Sequence, residues 1–161
     1  MHSVAAKAVA FHEAMSPTFA EYAKRIVTNA KALADTLMES GWRLVSGGTD
    51  NHLMLIDLTS RAEDLTGHQA AIWLAGAGLV ANKNLIPYDS RPPTVTSGIR
   101  LGTAAVTTRG MGTDQMKQVG KLIDTVLTSG GDETVIKNVH KQVLDLCRQY
   151  PIPSDGNNSS S

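Results

Sequence analysis

The chain has 161 residues, enough for one domain and too few for two substantial ones, and at that length about 70% of the unfolded surface can be buried, so a core forms without staples. Apolar residues make up 42% and aromatic residues only 4%, a composition that points away from disorder and leaves the core to Leu, Val, Ile, Met and Ala. Fifteen basic and fifteen acidic residues cancel to a net charge of zero, which argues against a nucleic-acid surface, and no apolar run reaches the roughly 20 residues that cross a bilayer.

The opening stretch is Ala-rich and puts Val4, Ala5, Ala8, Val9, Phe11, His12 and Met15 on a helical period, with Lys7 and Glu13 opposite. No cap or turn precedes it, so the natural start of the protein is expected upstream. It also lacks the charged start and small-residue cleavage site of a secretory signal. Ser16-Pro17 then resets the chain, Ser16 as a cap and Pro17 at the first helical position, where a missing N–H costs nothing. From Phe19 through Tyr22, Ile26, Ala30, Leu33 and Leu37 the apolar steps of three and four predict a long amphipathic helix, closed by Gly41 in a left-handed conformation.

Trp42 to Val45 reads as a short strand, Ser46 to Asn51 as a turn, and His52 to Leu58 as a mostly buried strand. Thr66-Gly67-His68-Gln69 has the form of a capping box, and its helix runs to Gly76-Ala77-Gly78. Leu79 to Asn82 is predicted as a further strand, Pro87 to Thr96 with its three prolines as a loop, and Ser97 to Thr103 as an extended segment. Two helices follow Gly110 and Gly112, marked by Met116, Val119, Leu122, Ile123, Val126 and Leu127, then by Val135, Val139, Val143, Leu146 and Tyr150. Cys147 lies on the second apolar stripe; as the lone cysteine it forms no intramolecular disulfide, which suggests packing and a reducing, cytoplasmic setting. Residues 154–161 read as a disordered polar tail. This order predicts an α/β fold with a short antiparallel sheet covered on one side by helices.

Three polar clusters interrupt these packing patterns: Gly47 to His52, Asn82-Lys83-Asn84, and Ser97-Gly98-Ile99-Arg100 running on to Thr107-Thr108-Arg109-Gly110. Each falls at a strand end or in a loop, where sites are commonly built, and each alone is a weak signal. Together they form a specific series: Ser46-Gly47-Gly48-Thr49-Asp50-Asn51-His52-Leu53, then Asn82-Lys83-Asn84 with Ile86-Pro87 and Asp89, then Val95-Thr96-Ser97-Gly98-Ile99-Arg100-Leu101-Gly102-Thr103 and Ala105 to Gly110. In order and spacing this series resembles the carboxy-terminal domain of serine hydroxymethyltransferase, with a likeness running from Met1 to about Pro153. Ala104 departs from it, standing where many members have proline.

The resemblance implies the small carboxy-terminal domain of the fold-type I pyridoxal phosphate enzymes over residues 1–153. It implies an enzyme of one-carbon metabolism that interconverts serine plus tetrahydrofolate with glycine plus methylenetetrahydrofolate. Arg100 matches the arginine that holds the amino acid's α-carboxylate, and a planar guanidinium suits that task because it grips a carboxylate with two parallel bonds. Asn84 matches a position that contacts the folate pterin; it also suits the end of a strand. Lys83 either approaches the folate's glutamate tail or is a solvated lysine. Arg109 either supports the site or has a structural role. Asp50, Asn51 and His52 are expected to shape a turn, with His52 a lesser candidate for a base.

The lysine that carries pyridoxal phosphate, the aspartate for its ring nitrogen, the stacking histidine and the Gly-Gly-Pro phosphate loop have no match here; the resemblance places them upstream of Met1. No catalytic or metal-binding residue is therefore expected in the chain, and activity of the fragment alone is not. The expected partners are the missing large domain and, in a complete homodimer or tetramer, a second subunit, since the family's site lies at a subunit interface. The other reading open at this stage is a stand-alone non-catalytic module that binds or dimerises.

Overall fold

The computed structural model describes residues 1–153; the tail expected over 154–161 lies outside the described residues. Helices α1 (His2–Ala14) and α2 (Pro17–Glu39) come first, followed by strands β1 (Arg43–Leu44) and β2 (Leu53–Asp57). Then come α3 (Gly67–Gly76), β3 (Asn82–Asn84), β4 (Gly98–Gly102), a single turn of helix α4 (Ala104–Thr108), α5 (Thr113–Thr128) and α6 (Glu133–Gln149). The four strands form one antiparallel sheet in the order β1-β2-β4-β3.

Register decides which side chains meet the helices. Ile56 pairs with Ile99 and Met54 with Leu101, and all four are buried. Because neighbours along a strand face opposite ways, these residues share one face. That face packs into a core with Ala30, Leu33 and Leu37 of α2, Leu74 of α3, and Ile123, Val126 and Leu127 of α5. Gly98, Arg100 and Gly102 alternate to the other face, opposite Asp57, Leu55 and Leu53. The covered face makes the domain stable, and the open face is free for a site.

The helix boundaries follow the local chemistry. Ser16 Oγ accepts the Phe19 N–H at 3.2 Å, with Pro17 at the first helical position. α2 closes on Gly41 at φ +90°, where Gly41 N–H donates to Met38 O and Trp42 N–H to Leu37 O. In α3 the capping box forms as expected, Gln69 N–H donating to Thr66 Oγ1 and Thr66 N–H to Gln69 Oε1.

The strand expected at Leu79 to Asn82 lies instead at Asn82–Asn84. The preceding residues complete the end of α3: Gly78 at φ +79° donates to Ala75 O and Leu79 N–H to Leu74 O, so Leu79 is part of the helix stop. Helix α4 was not foreseen, since five residues carry too little periodicity to be seen. Tertiary bonds to α2 hold it: Asn29 Nδ2 donates to Thr107 Oγ1 at 2.8 Å and to Met111 O at 2.9 Å, and Tyr22 Oη lies 2.7 Å from Thr108 Oγ1. Helix α1 buries none of its residues; Val4, Val9, Phe11 and Met15 are all largely exposed. Among the described residues no helix is long and apolar enough to cross a membrane.

Candidate functional site

The floor of the candidate site is the open face of the sheet. Arg100 stands at the middle of β4, opposite Asn82 on β3 and Leu55 on β2. Asn84, opposite Gly98, is the diagonal neighbour of Arg100 on the same face, about 7–8 Å away by strand geometry. Glycine at 98 and 102 makes room for neighbouring side chains on that face, Ile86 over Gly98 and Leu53 over Gly102. A Cβ at Gly98 would come 2.7 Å from Ile86 Cγ2 and 2.8 Å from Ile56 O, so no other residue fits there without displacement.

Arg100 and Asn84 both line a cleft of about 620 Å³ whose other walls are α2, through Lys31, Ala34, Asp35 and Met38, and the loop from Val45 to Asn51. That loop turns sharply, with Ser46 at φ +68° and Gly47 at +69°. Side chains fix its exit: Thr49 Oγ1 donates to Leu53 O at 2.5 Å, and Leu53 N–H donates to Asn51 Oδ1 at 2.7 Å. The turn expected of this segment is therefore present, made by Thr49 and Asn51. His52 is exposed and contributes its carbonyl to Thr103 N–H.

Arg100 is exposed, and among the described residues its side chain makes no ion pair or hydrogen bond. The nearest buried carboxylate on that face, Asp57, is already satisfied. Arg43 pairs with it across the strands, and it accepts Thr59 N–H at 2.9 Å and Thr59 Oγ1–H at 2.6 Å. The guanidinium is thus left with donors to offer a ligand. Asn84 Nδ2 donates to Leu85 O at 2.8 Å, consistent with a strand terminator, while Oδ1 has no partner among the described residues.

Lys83 is paired with Ile99, so alternation turns it to the opposite side of β3 from Asn84. It lines a second, more open cleft of about 590 Å³ with His68, Ala71, Ile72 and Asn82, and Arg100 borders this one too. Arg109 lies away from both: Nε donates to Tyr150 O at 2.6 Å and an Nη to Cys147 O at 3.0 Å. It caps the end of α6 through carbonyls, which is the structural alternative. Lys31 and Asp35 are walls that sequence reasoning missed, because a charged pair one turn apart on an exposed helix face looks like any solvated surface.

The loop joining β3 to β4 is organised by Asp89. Its Oδ2 accepts Ile86 N–H at 3.2 Å and Ser97 N–H at 2.8 Å, and its Oδ1 accepts Arg91 N–H at 3.0 Å and Ser97 Oγ–H at 2.6 Å. Partial burial alone would raise its pKa, but the Ser97 hydroxyl and the backbone N–H groups of Arg91, Ser97 and Ile86 outweigh it and hold the carboxyl down at about 2. The Arg91 side chain ties the same loop to Leu65 O at 2.7 Å and Glu63 O at 2.6 Å.

The cleft does not suit pyridoxal phosphate by itself. Its lining includes no aromatic ring to lie against the cofactor, its one lysine, Lys31, is exposed, and Asp35 and Asp50 put two carboxylates in its walls. What the arrangement can do is hold a small carboxylate by a guanidinium beside an amide oxygen. The family model described as serine hydroxymethyltransferase matches residues 1–123, which takes in the whole sheet, both clefts and the start of α5. The chain belongs to the serine hydroxymethyltransferase family, a family of pyridoxal phosphate-dependent transferases.

Proposed function

We propose that this chain is the carboxy-terminal portion of a serine hydroxymethyltransferase and supplies the amino-acid carboxylate clamp and part of the folate seat to a site completed by other polypeptide. The observation that carries this reading is Arg100, exposed on the open sheet face with no side-chain partner among the described residues and lining the same cleft as Asn84. A two-pronged grip on the α-carboxylate of serine or glycine fixes how the bonds at Cα are presented, and in this chemistry that orientation selects which bond reacts. Pyridoxal phosphate, when bound by the polypeptide that completes the site, would supply the electron sink. Asn84 Oδ1 is the acceptor this chain offers to the donor edge of a pterin. Lys83, on the opposite side of β3 from Asn84, serves only as a contact for the folate's acidic tail.

The bare helix α1 supports incompleteness. It exposes Val4, Val9 and Phe11, and Met15 follows at its end, apolar surface that the remaining part of the enzyme would cover. The proposed partners are therefore that large domain and a second subunit, in a cytoplasmic homodimer or tetramer. The chain by itself is proposed to be inactive. The test is to mix it with a polypeptide carrying the family's pyridoxal-binding lysine and to follow serine cleavage with tetrahydrofolate. Turnover by the mixture and by neither part alone is expected; turnover by this chain alone, or none by a mixture that assembles, contradicts the proposal.

A further inference from the structure

We propose that Asp89 is a positioning residue for the cleft, its carboxylate bridging the two ends of the β3–β4 loop and so setting how Asn84 and Arg100 stand relative to each other. This rests on the reading of the cleft as the seat of substrate carboxylate and folate. Asn84 ends β3, and Ile86 follows two residues later; Ser97 precedes Arg100 by three. One carboxylate oxygen accepts from both Ile86 N–H and Ser97 N–H, so a single atom ties the chain leaving β3 to the chain entering β4.

The tie works against strain. Within the loop Tyr88 sits at φ +57° and Thr96 at φ +60°, both unfavourable for side chains of their kind, and Thr96 is buried next to the start of β4. Such conformations persist only where surrounding bonds over-determine them. Asp89 supplies part of that restraint through Ser97, next to Thr96, while Gly67 N–H on Thr96 O and Thr96 N–H on Pro92 O supply the rest, so losing the carboxylate loosens the backbone that carries Gly98 and Arg100 without unfolding the loop. Ile86 would lift from Gly98, which its side chain now covers, and would move the end of β3 with it. Asp89 itself does not border the cleft, so its effect reaches the ligand only through Asn84 and Arg100.

The test compares Asp89→Asn, the milder Ser97→Ala and a control, Arg91→Ala, which cuts the loop's bonds to Leu65 and Glu63 but leaves the carboxylate's bonds in place. In the ¹⁵N-labelled full chain, Asp89→Asn is expected to shift the Arg100 Nε and Asn84 Nδ2 signals, with Arg91→Ala leaving both near their original positions. In the assembled enzyme it should raise KM for serine and for tetrahydrofolate about tenfold, with kcat within about threefold. If Asp89→Asn does not fold, Ser97→Ala decides through the same signals in smaller degree. Unshifted signals in a folded variant, or equal shifts with Arg91→Ala, overturn the inference. Arg100→Lys separates the two claims: an unchanged serine KM there refutes the reading of the cleft, while the signal shifts still judge Asp89.

Discussion

Gly67→Ala opposes two effects of known size. Gly67 is the first residue of α3, with no unusual φ, so helix propensity alone favours alanine by up to about 1 kcal/mol. The packing says otherwise. A Cβ there would sit 2.1 Å from Thr96 Oγ1 and 2.4 Å from Gly98 O, roughly 1 Å inside ordinary contact, and the second atom is backbone. The helix must retreat, stretching the bonds from Gly67 N–H to Thr96 O at 2.9 Å and from His68 N–H to Val95 O at 3.0 Å. Two bonds at about 1 kcal/mol each and overpacking of about 1–3 kcal/mol exceed the propensity gain, for a net loss of about 2–4 kcal/mol. Urea unfolding followed by the fluorescence of Trp42 and Trp73 measures it. A variant as stable as the parent, or more so, would refute the close docking of α3 on the start of β4.

The Asp89 carboxyl is held at about 2, against 3.8 for a free side chain. A depressed folded pKa gives stability that is complete above pH 3.8 and is lost as pH falls through 2, so the gap between parent and Asp89→Asn should narrow by about 1–2 kcal/mol between pH 5 and pH 2, after allowance for solvent screening. A gap that stays constant over that range in urea titrations contradicts the bonding described. Tyr88 has φ +57° and a fully exposed side chain, so Tyr88→Asn, a residue tolerant of that conformation, should raise stability by about 0.5–1 kcal/mol and Tm by about 1–4 °C. A lower Tm by calorimetry would show that the ring makes contacts the structure does not contain.

Much of the fold was legible because the deciding signals are local. Ser16-Pro17, Gly41 and the Thr66/Gln69 pair each act within one turn, and their bonds form as the residues dictate. The run from Leu53 to Ile56 is apolar throughout, so the sequence marks a strand there but not its buried face, which the register of Met54, Ile56, Ile99 and Leu101 decides. β3 was misplaced because Leu79-Val80-Ala81 has strand-like composition while its position, next to Gly78, belongs to the closing of α3. α4 was missed because its support comes from Asn29 and Tyr22, far away in sequence. For the site, the family likeness picked out Arg100 and Asn84, and the register puts them on one face. The walls from Lys31 and Asp35 and the staple at Asp89 depend on how distant segments meet, and no pattern in the chain announces that.

The central claim is that Arg100 takes the substrate's carboxylate, and glycine affinity measures it most directly. In the assembled enzyme, calorimetric titration with glycine should show Arg100→Ala binding about 10–100-fold more weakly than the parent, the equivalent of losing about 1.5–3 kcal/mol of charge-assisted bonding. Glycine bound within twofold of the parent's affinity by that variant would contradict the account.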